Sequence, residues 1–173
     1  MSERQRRKSS STDTFTSSLV CRPLTTGEVG AAHKLISGVF CDQIAPLYGE
    51  EGIRTFRQYI SEEDLARRAS RDHELLGVEN RDTGELVGVA EVRRANHIAL
   101  LFVRADCQKM GVGRMLLDYI RSSCRMRGRK VITVNATPNA VGAYEAMGFI
   151  AEGPEQEQEG VRSVPMMRSA DEA

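Results

Sequence analysis

The chain has 173 residues, 40% hydrophobic and 28% charged, with 24 Lys+Arg balanced by 24 Asp+Glu. That length suits one domain with a buried core, and the zero formal charge argues against a dedicated nucleic-acid binder. No apolar run reaches the ~20 residues of a membrane span.

Met1 to Ser18 carries Arg4, Arg6, Arg7 and Lys8 and then a Ser/Thr-rich stretch. It lacks the apolar core of a signal peptide and reads as a disordered tail, with a basic anchor for an anionic partner as the alternative. Residues 19–168 read as one domain and 169–173 as a second tail. Cys21, Cys41, Cys107 and Cys124 form no Cys-x-x-Cys pair and have no His cluster nearby. They read as free thiols in a reducing cytoplasm, with no metal site.

Leu19 to Arg22 reads as a first strand, stopped by Pro23. Thr25 and Glu28 stand at capping-box spacing before a helix through Val39-Phe40. A second helical pattern runs over Ile53, Phe56, Ile60 and Leu65, with a break near Ser61. Leu75 to Glu79, Leu86 to Val92 and His97 to Val103 are strands, the first two joined by a turn at Arg81 to Gly84. Met115 to Met126 is a helix stopped at Gly128. Val131 to Val134 is a strand, and Pro138 opens a helix ending at Gly148. Phe149-Ile150 and Val161 to Met167 are the last strands, separated by a Glu/Gln/Gly loop. The order predicts an α/β fold: a mixed sheet with helices on both faces.

The segment Gln108-Lys109-Met110-Gly111-Val112-Gly113-Arg114 follows an apolar strand and opens an amphipathic helix. Free first-turn N–H groups and a positive helix end suit a phosphate there, and glycines let it approach. A P-loop is excluded because no Gly-Lys-Ser/Thr occurs. A dinucleotide fingerprint lacks its third glycine, since Leu116 stands there. An ordinary turn before an ordinary helix is the bland alternative. Cys107 reads as a tolerated small residue of the loop, with reactivity as the lesser alternative.

Gln108-x-x-Gly111-x-Gly113 after a strand resembles the acetyl-CoA motif of the GCN5-related N-acetyltransferases. Val134-Asn135-Ala136-Thr137-Pro138, Ala140-Val141, Tyr144-Glu145 and Gly148-Phe149 are similar to the second signature of a bacterial small-molecule branch. The ordered likeness covers roughly Leu19 to Met167. Asp106-Cys107 departs from it, because the family often has Pro or an aromatic there.

The resemblance implies a mixed, mostly antiparallel central sheet and a cytoplasmic N-acetyltransferase with acetyl-CoA as cosubstrate. It implies that the main chain of Leu101, Phe102 and Val103 holds the pantetheine arm. Gln108, Lys109, Met110, Gly111, Val112, Gly113 and Arg114 would surround the pyrophosphate, with Arg114 either a phosphate contact or a solvated arginine. Tyr144 matches the usual general acid; its alternative is an aromatic capping the core. Asn135 and Asn139 are cofactor-side polar residues, with an Asx turn as the other reading of Asn135. Two bases are considered. Glu91 interrupts an apolar strand and reads either as a base working through water or as a rim salt bridge to Arg93 or Arg94. His97 opens the cofactor strand and titrates in the right range. Glu50 and Glu51 read as recognisers of a cationic substrate or as an acidic helix start. Arg121, Arg125, Arg127, Arg129 and Lys130 read as a solvated helix end, with a cofactor phosphate or nucleic acid as alternatives.

The expected reaction moves acetyl to a primary amine, favouring a small molecule over a protein. A non-catalytic CoA-binding domain and a protein N-acetyltransferase are the rival readings. Family members are often dimers, so a homodimer is among the expectations; a membrane partner is not.

Overall fold

In a computed structural model of the chain, residues 12–172 are described. Met1–Ser11, most of the expected tail, lies outside them. The tail reading is corrected beyond that point, because 12–17 form a helical turn, α1. Phe15 anchors it on the core, and Ser18 binds the turn over 80–84, its hydroxyl donating to Asp82 at 2.6 Å and its carbonyl accepting from Arg81 N–H at 2.9 Å.

β1 (Leu19–Pro23) leads to a 3-10 turn over Thr26–Glu28 and then to α2 (Val29–Val39). The capping box is formed, with Thr25 N–H donating to the Glu28 carboxylate at 2.8 Å. α2 widens into a π-helical turn over Phe40–Ile44 and a 3-10 turn over Ala45–Leu47. α3 (Glu50–Tyr59) and α4 (Glu62–Ala69) follow. They part at Ser61, whose hydroxyl accepts from Asp64 N–H at 3.2 Å. Glu50 and Glu51 occupy the first turn of α3, where acidic groups suit the helix dipole.

β2 (His73–Asn80), β3 (Glu85–Arg93) and β4 (His97–Val103) form an antiparallel meander. α5 (Val112–Met126) stops at Gly128, which has φ +68°. β5 (Val131–Ala136), α6 (Val141–Ala146), β6 (Ile150–Ala151), β7 (Gln156–Gln158) and β8 (Val161–Ser169) complete the chain. The sheet order is β1-β2-β3-β4-β5-β8-β6, with β7 on β8. Among the described residues only β4 and β5 are parallel neighbours; the other pairs are antiparallel.

Two sequence expectations are corrected here. The polar 156–158 stretch, read as loop, is β7, because Glu159 and Gly160 both take positive φ (51° and 78°) and close a two-residue hairpin. The C-terminal tail does not begin at 169. β8 includes Ser169, and Ala170 is buried with its N–H donating to Lys130 O at 2.9 Å.

Each sheet face carries its own core. One gathers Leu116, Leu117 and Ile120 of α5 over Ile98, Ile132 and Val134. The other gathers Ile36, Phe40 and Leu65 over Val89, Leu100 and Phe102. Ile98 and Leu100 are two apart yet lie in opposite cores. A register shift between Glu91 and Val92 makes Ala99 the extra residue of a bulge, reversing the faces of β4. Among the described residues no helix is long and apolar enough to cross a membrane.

Candidate functional site

The parallel pair at mid-sheet stays together only briefly. His97 pairs with Thr133 and Ile98 with Val134, and no further pairs form. β4 continues to Val103 and β5 to Ala136 with their facing edges unpaired. The bulge at Ala99 stands where they part. Arg104 N–H donates to Val87 O at 2.9 Å. The two-residue alternation of a strand therefore turns the amides of Phe102 toward β3 and those of Leu101 and Val103 into the gap. An extended ligand can complete such an edge as an added strand.

The loop above this gap is built from backbone conformations that side chains resist. Lys109 has φ +60° and Gly111, the residue before α5, has φ +88°. Among the described residues no side chain caps the start of α5, so its first-turn N–H groups are available to an anion. Val112 is buried as the anchor of the helix, while Gln108, Lys109, Gly111 and Arg114 are exposed and Met110 half-buried. A Cβ on Gly113 would stand 3.9 Å from both Leu101 Cδ2 and Val103 Cγ2. The helix start thus lies close over the side chains of Leu101 and Val103, on the strand whose edge is unpaired. Gln108 donates its amide to Val103 O at 3.0 Å and to Gln43 Oε1 at 2.9 Å. Cys107 is buried in the loop, and burial raises its thiol above the ordinary value, which disfavours a reactive thiolate. Uncapped donors, a glycine-cleared approach and a free strand edge together fit a long, phosphorylated, amide-bearing molecule.

Tyr144 is buried in α6, its ring edge-on to Phe149 with centroids 5.3 Å apart. Burial pushes its phenol well above the ordinary value, so it stays protonated at neutral pH. Thr137 and Pro138 start the turn that leads into α6, and Gly148 at φ +85° ends it. Arg114 reaches from α5 to Ala146 O at 3.4 Å, bringing the end of α6 beside the loop. Asn135 and Asn139 are exposed; the Asx turn considered for Asn135 is not formed, since among the described residues its side chain makes no hydrogen bond.

The two candidate bases lie apart. Glu91 is fully buried, and the salt bridge to Arg93 or Arg94 is not made. Arg94 instead pairs with Asp72 at 3.0 Å, while Arg68 grips both Glu91 oxygens, Nε at 2.7 Å and Nη2 at 3.0 Å. The Arg68 guanidinium lies 3.8 Å from the Tyr59 ring centroid. His73 Nδ1 stands 2.9 Å from Glu91 Oε1, out of line for a hydrogen bond. Neither Arg68 nor His73 was signalled by the sequence pattern, since both are remote along the chain. His97 bonds through Nδ1 to Thr133 Oγ1 at 2.8 Å, and burial holds its imidazole below the ordinary value. It sits at the joined end of β4 and β5, about 20 Å along the strand from Val103.

The basic run does not meet the loop. Arg127 and Arg129 line a cleft with Arg71, Asp72, His73 and Arg94 at the other end of α5. Arg121 pairs with Asp118 at 3.3 Å.

A second contact fastens α3. α3 rests on the β7–β8 turn through two glycines, and a Cβ on Gly160 would stand 2.6 Å from Gly52 N. Thr55 Oγ1 donates to Glu159 O at 2.8 Å and the Tyr48 hydroxyl to Arg162 O at 3.0 Å, fastening the same contact.

Residues 44–170 match the family profile described as an acetyltransferase (GNAT) domain. Among solved structures, a GCN5-related N-acetyltransferase from Rhodopseudomonas palustris is similar at 23% identity and TM-score 0.75, covering 87% of this chain and 94% of its own. The PaiA N-acetyltransferase of Thermoplasma acidophilum, solved with coenzyme A, is 19% identical with TM-score 0.73, covering 88% and 99%. A spermidine N-acetyltransferase from Vibrio cholerae, solved with CoA and spermine, is 19% identical with TM-score 0.62, covering 89% and 96%. The match to the profile spans well over half of the chain, and the parted strands beneath an uncapped helix start agree with it. The chain belongs to the GCN5-related N-acetyltransferase (GNAT) family and is an acetyltransferase with acetyl-CoA as cosubstrate.

Proposed function

We propose that this acetyltransferase acts on a primary amine of a small molecule, with Tyr144 as the general acid. The observation that carries the reading is the free edge of β4 lying under the uncapped start of α5. Main-chain groups of Leu101 and Val103 hold the cofactor's amide arm, and Phe102 fixes the strand by its burial in the core. Backbone N–H groups from Gln108 to Arg114 hold the pyrophosphate, with Lys109 and Met110 shaping the turn. Asn135 and Asn139 line the β5 side. The cofactor supplies an activated thioester; the chain supplies position and protons.

Tyr144 gives its phenolic proton to the departing sulfur. Burial keeps the phenol protonated, so the proton is there to give; it also makes the phenol a weaker acid than the thiol it would form, so the transfer runs uphill and is drawn on by collapse of the tetrahedral intermediate as the carbon–sulfur bond breaks. The acceptor must lose a proton to attack. Glu91 is the better placed of the two candidate bases, because it lies opposite Leu100, next to the reacting stretch of β4. Arg68 closes it off, so the role requires Arg68 to swing aside as the amine enters. His97 is the second candidate, and its place at the joined strand ends counts against it. A small amine is supported by the spermine-bound relative.

The test is a thiol-release assay with acetyl-CoA against polyamines, aminoglycosides, amino acids and peptide N-termini. Tyr144→Phe is expected to lower turnover about 100-fold while CoA affinity stays nearly unchanged. An unaltered rate removes Tyr144 from the acid role. Cofactor binding without amine-dependent thiol release across the panel would establish the non-catalytic reading instead.

A further inference from the structure

The geometry points to Gln43 as a positioning residue that, through Gln108, holds the cofactor edge of β4 closed until the cofactor arrives. This rests on the reading that the cofactor arm pairs with that edge. The Val103 carbonyl faces the gap and would be one of the arm's acceptors. It is engaged, taking the Gln108 amide at 3.0 Å, and the same amide nitrogen donates its other hydrogen to Gln43 Oε1 at 2.9 Å. Gln108 thus stands in for the incoming amide, and Gln43 keeps it there.

The bonds are exposed, so water competes for them and they exchange readily. Gln43 reaches Gln108 from 65 residues away because it sits on the π-helical turn Phe40–Ile44. Such a turn bulges a helix outward and is common at functional positions. Its neighbours Phe40 and Ile44 are buried. Phe40 stacks on Phe56 of α3 at 4.9 Å between centroids, and Phe56 meets Phe102 of β4 edge-on at 6.5 Å. The turn that holds Gln43 is therefore packed against both α3 and β4. When an arm takes Val103 O, Gln108 is released and Gln43 loses its partner. Cofactor binding then loosens the turn that leads to α3.

The test uses the full chain and CoA, with no need to know the amine. Gln43→Met keeps the length and removes the acceptor. It is expected to tighten CoA binding about three- to tenfold, the loss of one modest hydrogen bond. Hydrogen exchange over 40–47 should be faster than wild type without CoA and should change little on adding it, whereas in wild type CoA accelerates it. A purely structural role is separated by a double-mutant cycle. In a Gln108→Met background, Gln43→Met should leave CoA affinity unmoved. Equal CoA affinity in Gln43→Met and wild type, or an effect that persists without Gln108, overturns the inference. Wild-type chain that fails to bind CoA overturns the reading of the site itself.

Discussion

Gly113→Ala should make the free protein more stable and the bound complex weaker, a pairing of signs that a general packing defect does not produce. Gly113 is the second residue of α5 and its φ is not in the left-handed region. The added Cβ meets Leu101 Cδ2 and Val103 Cγ2 at 3.9 Å, an ordinary van der Waals distance. Nothing opposes the helix-propensity gain, which is about 0.5–1 kcal/mol for glycine to alanine. For a domain of this size that raises Tm by roughly 1–4 °C. The same methyl occupies the narrow space between the α5 start and the β4 edge. We therefore expect CoA affinity to fall at least about tenfold, or ~1.4 kcal/mol. Calorimetric unfolding and CoA titration of the two proteins read both signs. Gly111→Ala is the control, because φ +88° strains any side chain there and its Tm should fall by ~1–2 kcal/mol worth of stability. A Gly113→Ala protein that melts lower when free, or that binds CoA as wild type does, refutes the argument that the missing methyl defines the site.

Gly52→Ala drives a methyl into the Gly160 carbonyl oxygen and should cost about 1–3 kcal/mol, read by denaturant unfolding; wild-type stability would show that the two glycines do not hold α3 to the hairpin. Arg68→Met leaves the buried Glu91 carboxylate without its bidentate partner and should cost about 3 kcal/mol; a melting point unchanged at neutral pH would remove the pair from the stability of the sheet. Acid should also be felt at Glu28, where hydrogen bonds from Arg22 hold the carboxyl at about 2, against an ordinary 4.5. A lowered carboxyl stabilises above its unfolded value and stops doing so as pH falls through its folded one. Arg22→Gln should therefore make the loss of stability between pH 4.5 and 2 shallower, and an equally steep acid limb would exclude this pair as a contributor.

Local signals were readable and long-range ones were not. Thr25 with Glu28, Ser61 before an acidic turn, and the glycines at 84, 111, 128 and 148 each carry their geometry within a few residues. The glycine-bearing loop before α5 was legible for the same reason, since strand, glycines and helix are contiguous. The failures have physical causes. β7 has no apolar alternation because all three of its residues are exposed, so only the paired positive φ of Glu159 and Gly160 declares the hairpin. Glu91 looked like a rim residue beside Arg93 and Arg94, but its partner Arg68 lies 23 positions away on helix α4. Alternation puts Glu91 on one face with Val87 and Val89; Val89 does share that side, but Val87 lies in the other core, because the register shift between Val78 and Glu79 makes it the extra residue of a bulge. The bulge at Ala99 is equally silent in the sequence, although it is what parts β4 from β5.

That parting divides the sheet into two plates, β1 to β4 and β5 with β8 and β6, hinged at Ile98 and Val134. A molecule lacing the open seam stitches them, hydrogen-bonding one plate and lying against the other. A cosubstrate lying in that seam would serve as mortar between them.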